Sequence, residues 1–178
     1  IKPRYNADVN QWWISDDTRY SYKPMYDEKR LRGARRVQYG SQVATNYGKA
    51  IEEADAGLKQ AVSESGPGSL YGLLSPMMAC EEAYLLGKYI RSIDPQALLV
   101  LGPVPTSGKD AVFKHYISGK TSFTIQGEKV PNARGIRRVI EMLGGPTSDL
   151  DGLAASAGAK AGWIVGGYLS NWVTDALK

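Results

Sequence analysis

The chain has 178 residues, of which 43% are hydrophobic and 22% charged, and its formal net charge at pH 7 is +4. This length and apolar content suffice for one domain with its own core. No apolar run reaches the roughly 20 residues of a membrane-spanning helix, so the sequence predicts no direct membrane insertion. One cysteine, Cys80, and one histidine, His115, exclude an internal disulfide and a metal or iron–sulfur site made of these residues.

Residues 1–40 combine Tyr, Trp, Arg and Asp without a sustained helical or strand period. This pattern predicts an extended N-terminal arm. The adjacent side chains of Trp12 and Trp13 are costly to leave in water. We therefore expect Trp12, Trp13 and Arg19 to anchor the arm by burial against the rest of the chain or against a second copy, which would make the chain a homo-oligomer.

The densest positive charge of the chain lies at the end of this arm. It consists of Lys29, Arg30, Arg32, Arg35 and Arg36. The neighbouring tyrosines do not follow an RNA- or DNA-binding motif. The pattern favours a solvated or subunit-facing basic segment, and we predict no nucleic-acid partner.

Residues 41–178 alternate helical and strand patterns. The predicted helices cover residues 45–64, 76–93 and 132–143, and the predicted strands cover residues 69–74, 97–102, 121–126 and 162–165. Strands that alternate with helices are typical of a parallel sheet. The sequence therefore predicts an α/β domain with a three-layer, mostly parallel, doubly wound sheet, in which the strands at 97–102 and 162–165 are central.

Ligands of open α/β sheets bind beyond the carboxyl ends of the strands. Ser75, Gly166 and Gly167 follow two predicted strands, so we predict that these three residues line a ligand crevice. Ser75 is also expected to cap a helix that begins at Pro76. Cys80 lies one position from the apolar stripe of that helix, which predicts a small core residue.

The segment from Gly102 to Asp110 follows a strand and is comparable to a phosphate-binding loop. Five residues separate its two glycines, Asp110 stands where a magnesium-binding Ser or Thr is required, and Pro103 and Pro105 remove backbone donors. The segment therefore does not predict nucleotide hydrolysis. Binding of a small phosphorylated ligand by a free-standing α/β protein remains an alternative function.

The stretch Asn10-Gln-Trp-Trp-Ile-Ser-Asp-Asp-Thr-Arg-Tyr20 resembles a segment of the large iron–sulfur subunit of NADH-quinone oxidoreductase, respiratory complex I. That segment commonly reads close to Val-Asn-x-x-Trp-Ile-Ser-Asp-Lys-Thr-Arg-Phe. Three later stretches agree in order: from Ser75 to Leu86, residues 123–135, and residues 162–167. Molybdopterin oxidoreductases such as formate dehydrogenase carry a related, less similar stretch, and a lysine where this chain has Asp17.

The resemblance implies a molybdopterin-oxidoreductase-like α/β domain at residues 41–178, joined by the arm at residues 1–40 to an iron–sulfur region upstream. The chain would be a scaffold fragment that supports electron transfer from NADH to quinone without catalysing a reaction itself. Its partners would be other domains and subunits of the peripheral arm of complex I. The location would be cytoplasmic and peripheral to the inner membrane. A fragment of a molybdopterin-dependent oxidoreductase is the second alternative.

Overall fold

The computed structural model describes residues 1–20, 22–156 and 158–168. The chain divides into two compact units, Ile1–Glu53 (unit 1) and Ala54–Lys178 (unit 2). Helix α2, Tyr47–Ser65, contributes residues to both units. None of the helices within the described residues is long and apolar enough to cross a membrane.

Unit 1 contains short elements and no buried residue among those described. Its elements are helix α1 (Asp16–Tyr20), a 3-10 helix (Lys23–Tyr26) and the antiparallel strands β1 (Arg35–Gln38) and β2 (Ser41–Ala44). Every side chain of β2 is exposed, and so are all but one in β1. The region predicted as an extended arm therefore has local structure but no core of its own.

The paired tryptophans are exposed within unit 1, and their burial against unit 2 stays a prediction. Trp12 and Trp13 are 69% and 71% exposed. The Trp12 ring contacts only the ring of Tyr5 among aromatic neighbours, at a centroid distance of 5.2 Å, and Arg19 pairs with Asp16 at 3.8 Å. Burial of these residues against a second copy stays a prediction.

Unit 2 is built on a parallel sheet of four strands. The strands are β3 (Leu70–Leu74), β4 (Leu98–Leu101), β7 (Thr147–Ser148) and β8 (Ala161–Ile164), in the order β7-β4-β3-β8. The parallel α/β character is confirmed, and β4 is internal as predicted. Within the part of the sheet that the structure describes, β8 lies at the edge, so its predicted central position is wrong.

Helix α3 (Cys80–Ile93) begins four residues later than the Ser-Pro pattern predicts. The Ser75 Oγ accepts a hydrogen bond from the Met77 N–H at 3.1 Å, so it closes a turn before the helix. The Glu82 carboxylate instead accepts from the Ala79 N–H at 2.9 Å, which satisfies an otherwise free donor at the helix start. Cys80 is exposed here, so the expectation of a core cysteine is also wrong.

Side chains from both faces of the sheet form the core. On one face α3 and helix α4 (Ala133–Leu143) pack over the sheet. The buried residues of this cluster are Leu74, Ala83, Leu99, Ile136, Val139 and Ile140. On the other face Leu73 and Val100 contact Leu153 of helix α5 (Leu150–Ala155). Alternate residues of β3 thus enter different clusters, as the period of two in a strand requires.

A buried carboxylate ties the start of β3 to the end of α3. Asp94 is fully buried, and its two oxygens accept hydrogen bonds from the backbone N–H groups of Gly68, Leu70 and Gln96 at 2.9–3.2 Å. Charged acceptors form stronger hydrogen bonds than neutral ones. The side chain therefore satisfies donors of two segments that the sheet brings together.

Strands β5 (Ala111–Lys114) and β6 (Thr121–Ile125) form an antiparallel hairpin outside the parallel sheet. The strand predicted at residues 121–126 exists, but its partner is its own neighbour in sequence. Asp110 Oδ1 accepts a hydrogen bond from the Gly127 N–H at 2.8 Å and closes the base of the hairpin. The segment compared with a phosphate-binding loop thus leads into this hairpin.

Candidate functional site

The three residues predicted to line a ligand crevice lie at the carboxyl edge of the parallel sheet. Ser75 directly follows β3, and Gly166 and Gly167 follow β8. Gly167 has a φ of +91°, which favours glycine, and a Cβ there would lie 3.9 Å from the Cβ of Met77. The structure therefore brings Ser75 and the glycine pair to the same end of two neighbouring strands, whereas their binding of a ligand stays a prediction.

The side chain of Tyr168 reaches into this edge. Its hydroxyl donates a hydrogen bond of 2.7 Å to the carbonyl oxygen of Pro103. Burial raises the pKa of Tyr168, and a hydrogen bond with the Ser75 side chain works against that rise. A Cβ on Gly102 would lie 2.8 Å from the Tyr168 hydroxyl oxygen, so a larger residue there would displace the ring. The Tyr168 side chain therefore forms hydrogen bonds with Ser75 and with the backbone of Pro103 at the predicted crevice.

An open cleft of about 670 Å³ lies at the carboxyl ends of β4 and β7. Its apolar floor includes Leu101, Val104, Ile140 and Leu150. Its polar rim includes Arg137, Glu141, Asp149 and Asp151. The volume lies within the range of small-molecule and peptide-side-chain pockets. This cleft combines an apolar floor with a charged rim, and the sequence patterns do not predict it.

The rim of the cleft carries unbalanced negative charge. Arg137 pairs with Glu128 at 3.5 Å, and Glu141 pairs with Arg138 at 3.1 Å. Asp149 accepts a hydrogen bond from the Gly152 N–H at 2.7 Å, which caps helix α5. Within the described residues no basic side chain pairs with Asp149 or Asp151, although both are exposed.

An apolar floor beneath two unpaired carboxylates favours a guest that combines an apolar group with a positive charge. A phosphate group would meet like charge at Asp149 and Asp151, and Arg137, the one basic residue among the described lining, is already paired with Glu128. The arrangement therefore disfavours phosphorylated ligands at this site, including a pyrophosphate-linked dinucleotide.

The single histidine and the single cysteine of the chain do not line this cleft. His115 lies in the turn of the β5–β6 hairpin, where its Nδ1 accepts a hydrogen bond from the Ser118 N–H at 3.3 Å. Cys80 contacts the side chain of Asn132, whose Nδ2 lies 3.4 Å from its Sγ. Across residues 1–20, 22–156 and 158–168, no three His, Cys, Asp or Glu side chains converge as metal ligands.

No family model, no curated protein and no solved structure matches this chain. The resemblance to the large subunit of NADH-quinone oxidoreductase therefore rests on the residues quoted for it. The parallel α/β character of unit 2 is compatible with that resemblance, but many unrelated proteins share this character.

Proposed function

We propose that the chain is a scaffold part of the large iron–sulfur subunit of an NADH-quinone oxidoreductase. In this proposal unit 2 belongs to a three-layer, doubly wound domain of the molybdopterin-oxidoreductase type. The chain supports electron transfer from NADH to quinone by holding other domains and subunits of the peripheral arm, at the cytoplasmic side of the inner membrane. The iron–sulfur clusters are carried by upstream regions, and the chain on its own catalyses no reaction.

The exposed aromatic surface of unit 1 is the observation that carries this proposal. The paired tryptophans are about two-thirds exposed, and Tyr5, Tyr20 and Tyr26 are also more than half exposed. Monomeric proteins rarely leave large apolar patches in water, because burial of apolar surface against a partner is favourable by about 25 cal/mol per Å². The same segment carries the most specific part of the resemblance, which supports an assembly role for it.

The acidic cleft argues against the two alternative functions. A molybdopterin enzyme has to hold the pyrophosphate of its cofactor, and a phosphorylated-ligand protein has to hold a phosphate. At the cleft, Asp149 and Asp151 oppose such groups and Arg137 is already paired with Glu128. At the predicted crevice, the Tyr168 side chain forms hydrogen bonds with Ser75 and Pro103, so these polar groups are engaged within the chain. The scaffold function requires no anion site and is therefore favoured.

Co-migration tests the proposal in the organism that supplies the gene. An affinity tag on the parent gene should follow NADH:quinone oxidoreductase activity when solubilised membranes are separated on a density gradient. The double variant Trp12→Ser/Trp13→Ser should reduce this co-migration, whereas Leu85→Ser, which removes another exposed apolar side chain, should not. A tagged chain that migrates away from the activity would refute the scaffold function.

Native mass measurement distinguishes the molybdopterin alternative. The purified chain, mixed with pterin-guanine dinucleotide, should show the mass of the polypeptide alone. Retention of one dinucleotide per chain would favour the molybdopterin-dependent oxidoreductase instead.

A further inference from the structure

The β5–β6 hairpin exposes an ordered apolar surface. All nine residues of its two strands are exposed. The register pairs Ala111 with Ile125 and Phe113 with Phe123, which places these four side chains on one face. The two phenylalanine rings stack at a centroid distance of 4.6 Å. The apolar side chains of the hairpin are therefore exposed although its strands are paired and its phenylalanine rings are stacked.

The turn of the hairpin presents the most exposed large apolar side chains among the described residues of unit 2. Tyr116 is 90% exposed and Ile117 is 73% exposed. Lys114 and Lys120 flank them, and neither forms an ion pair with another described residue. From Ala111 to Gly127 the sequence contains no Asp or Glu. The tip thus combines apolar side chains with uncompensated positive charge.

The flat face of the hairpin is too small to hold two copies together by itself. A two-stranded face of this length measures about 17 Å by 10 Å, whereas a stable interface covers about 800 Å² on each partner. A concave site can surround the tip on several sides. The tip is therefore better suited to a cleft than to a flat surface.

The cleft of unit 2 has the matching properties. It offers an apolar floor at Leu101, Val104 and Leu150. Its carboxylates at Asp149 and Asp151 form no ion pair with a described residue, and their negative charge is complementary to the positive charge of Lys114 and Lys120 at the tip. The exposure of Tyr116 and Ile117 means that a copy does not fill its own cleft with its own tip.

We propose that the hairpin tip of one copy of this chain docks into the acidic cleft of a second copy. Tyr116 and Ile117 contact the floor of the cleft, and the flanking lysines approach Asp149 and Asp151. The contact is heterologous, since different surfaces of the two copies meet, so it can repeat from copy to copy. This inference does not depend on the assignment to NADH-quinone oxidoreductase, and its test leaves that assignment untouched.

Sedimentation over a concentration series tests the contact with purified chain. The interface is at the small end of specific interfaces, so we expect association at concentrations from about 10 µM to about 500 µM rather than a permanent dimer. Raising the NaCl concentration from about 50 mM to about 500 mM should weaken the association at least about threefold, because exposed charges are screened. A chain that stays monomeric throughout the series would overturn the proposal.

Two complementary variants give the decisive measurement. The tip variant, Tyr116→Ser/Ile117→Ser, removes the apolar side chains of the hairpin turn. The cleft variant, Asp149→Asn/Asp151→Asn, removes the negative charge of the cleft, and the asparagine at position 149 can still cap helix α5. Each variant alone should be monomeric. An equimolar mixture should form a one-to-one dimer and nothing larger, because it contains one intact tip and one intact cleft. Association of either variant alone at the wild-type level, or a mixture that remains monomeric, would contradict the proposed contact.

A control variant tests whether the loss of any exposed apolar side chain weakens the association. Leu85→Ser removes an exposed aliphatic side chain of helix α3 that belongs to neither the cleft nor the hairpin, and this variant should associate like the wild type. Circular dichroism and thermal melting should show that all variants fold, since every altered residue is exposed. If the tip variant instead abolished only the pelleting of a monomeric chain with phosphatidylglycerol vesicles, a lipid surface would be the partner and the second copy would be excluded.

Discussion

Units 1 and 2 both contain many aromatic and aliphatic side chains, yet only unit 2 buries them. In unit 1 no described residue is buried, whereas unit 2 encloses Leu70, Leu73, Leu74, Leu99 and Ile136 completely. The two units differ in the spacing of their apolar residues along the sequence. Apolar residues of unit 2 recur with the period of the helix or strand that carries them, so that neighbouring elements share a core. The aromatic residues of unit 1 follow no period and cannot all face one side.

Limited proteolysis should give the largest difference between the units. Unit 1 contains the basic run from Lys29 to Arg36, in which Lys29, Arg30 and Arg32 are exposed and lie outside any helix or strand, so trypsin should cut there first. A cooperative core of about 5 kcal/mol would protect unit 2 by about 4 × 10³-fold in cleavage rate, at about 1.4 kcal/mol per factor of ten. Mass spectrometry of a digestion time course measures both rates. Equal rates in the two units would show that unit 2 lacks a cooperative core.

Shortening a buried side chain in unit 2 should lower the free energy of unfolding far more than shortening an exposed side chain in unit 1. Leu99 is fully buried between the sheet and helices α3 and α4, so Leu99→Ala should lower the free energy of unfolding by about 2–5 kcal/mol. Val37→Ala in unit 1 should change it by less than about 0.5 kcal/mol, because Val37 is 73% exposed. Urea unfolding followed by circular dichroism provides both values, and a large effect at Val37 would reveal a core in unit 1.

Asp94 in unit 2 and Asp27 in unit 1 both accept hydrogen bonds from backbone N–H groups, but only Asp94 is buried. Asp94→Ala should cost about 2–3 kcal/mol, because it leaves the buried donor of Leu70 and the partly buried donors of Gly68 and Gln96 without their acceptor. Asp27→Ala removes a hydrogen bond to the Lys29 N–H that is exposed to water, and it should be nearly neutral. Similar losses in urea unfolding at both sites would mean that the burial of Asp94 is unimportant.

A smaller effect concerns the pH dependence of stability. Burial, with a hydrogen bond to Asp55, raises the pKa of Tyr89 from 10.0 to about 12. Between these values the folded state holds a proton that the unfolded state has released, so stability is full below pH 10 and falls as the pH rises towards 12. Tyr89→Phe should lower stability by about 1 kcal/mol at a pH of about 8 and flatten this fall.

The control for this measurement is Tyr39→Phe, since Tyr39 is 98% exposed. Urea unfolding at several pH values should give the same curve for this variant and the wild type. If Tyr89→Phe also left the curve unchanged, the hydroxyl of Tyr89 would not be hydrogen-bonded to Asp55 in solution.

Periodicity made most of unit 2 predictable. Strands β3, β4 and β8 and helices α2, α3 and α4 appear close to the predicted positions, because each carries a continuous apolar run or an apolar stripe. The start of α3 was misplaced because Pro76 and Met78 form contacts with Asn132, which lies far away in sequence. Local capping preference is outweighed there by a tertiary contact.

The cleft could not be read from the sequence for a related reason. Strand β7 has only two residues and no apolar pattern, yet it places Asp149 beside the end of β4. The predicted residues Ser75, Gly166 and Gly167 were correctly expected at the carboxyl edge, but the side chain of Tyr168 gave no signal of its position there. Both facts depend on which strands become neighbours, which local patterns do not encode.

The buried Asp94 also bears on the order in which unit 2 folds. Its partners Gly68 and Leu70 lie only 26 and 24 positions away, and β3, α3 and β4 follow one another directly in sequence. Closing such a short loop has a low entropic cost, so these contacts form more readily than those with β8. Strand β8 must cross a much longer stretch of chain to reach β3, and its pairing is therefore expected to complete the sheet after the transition state.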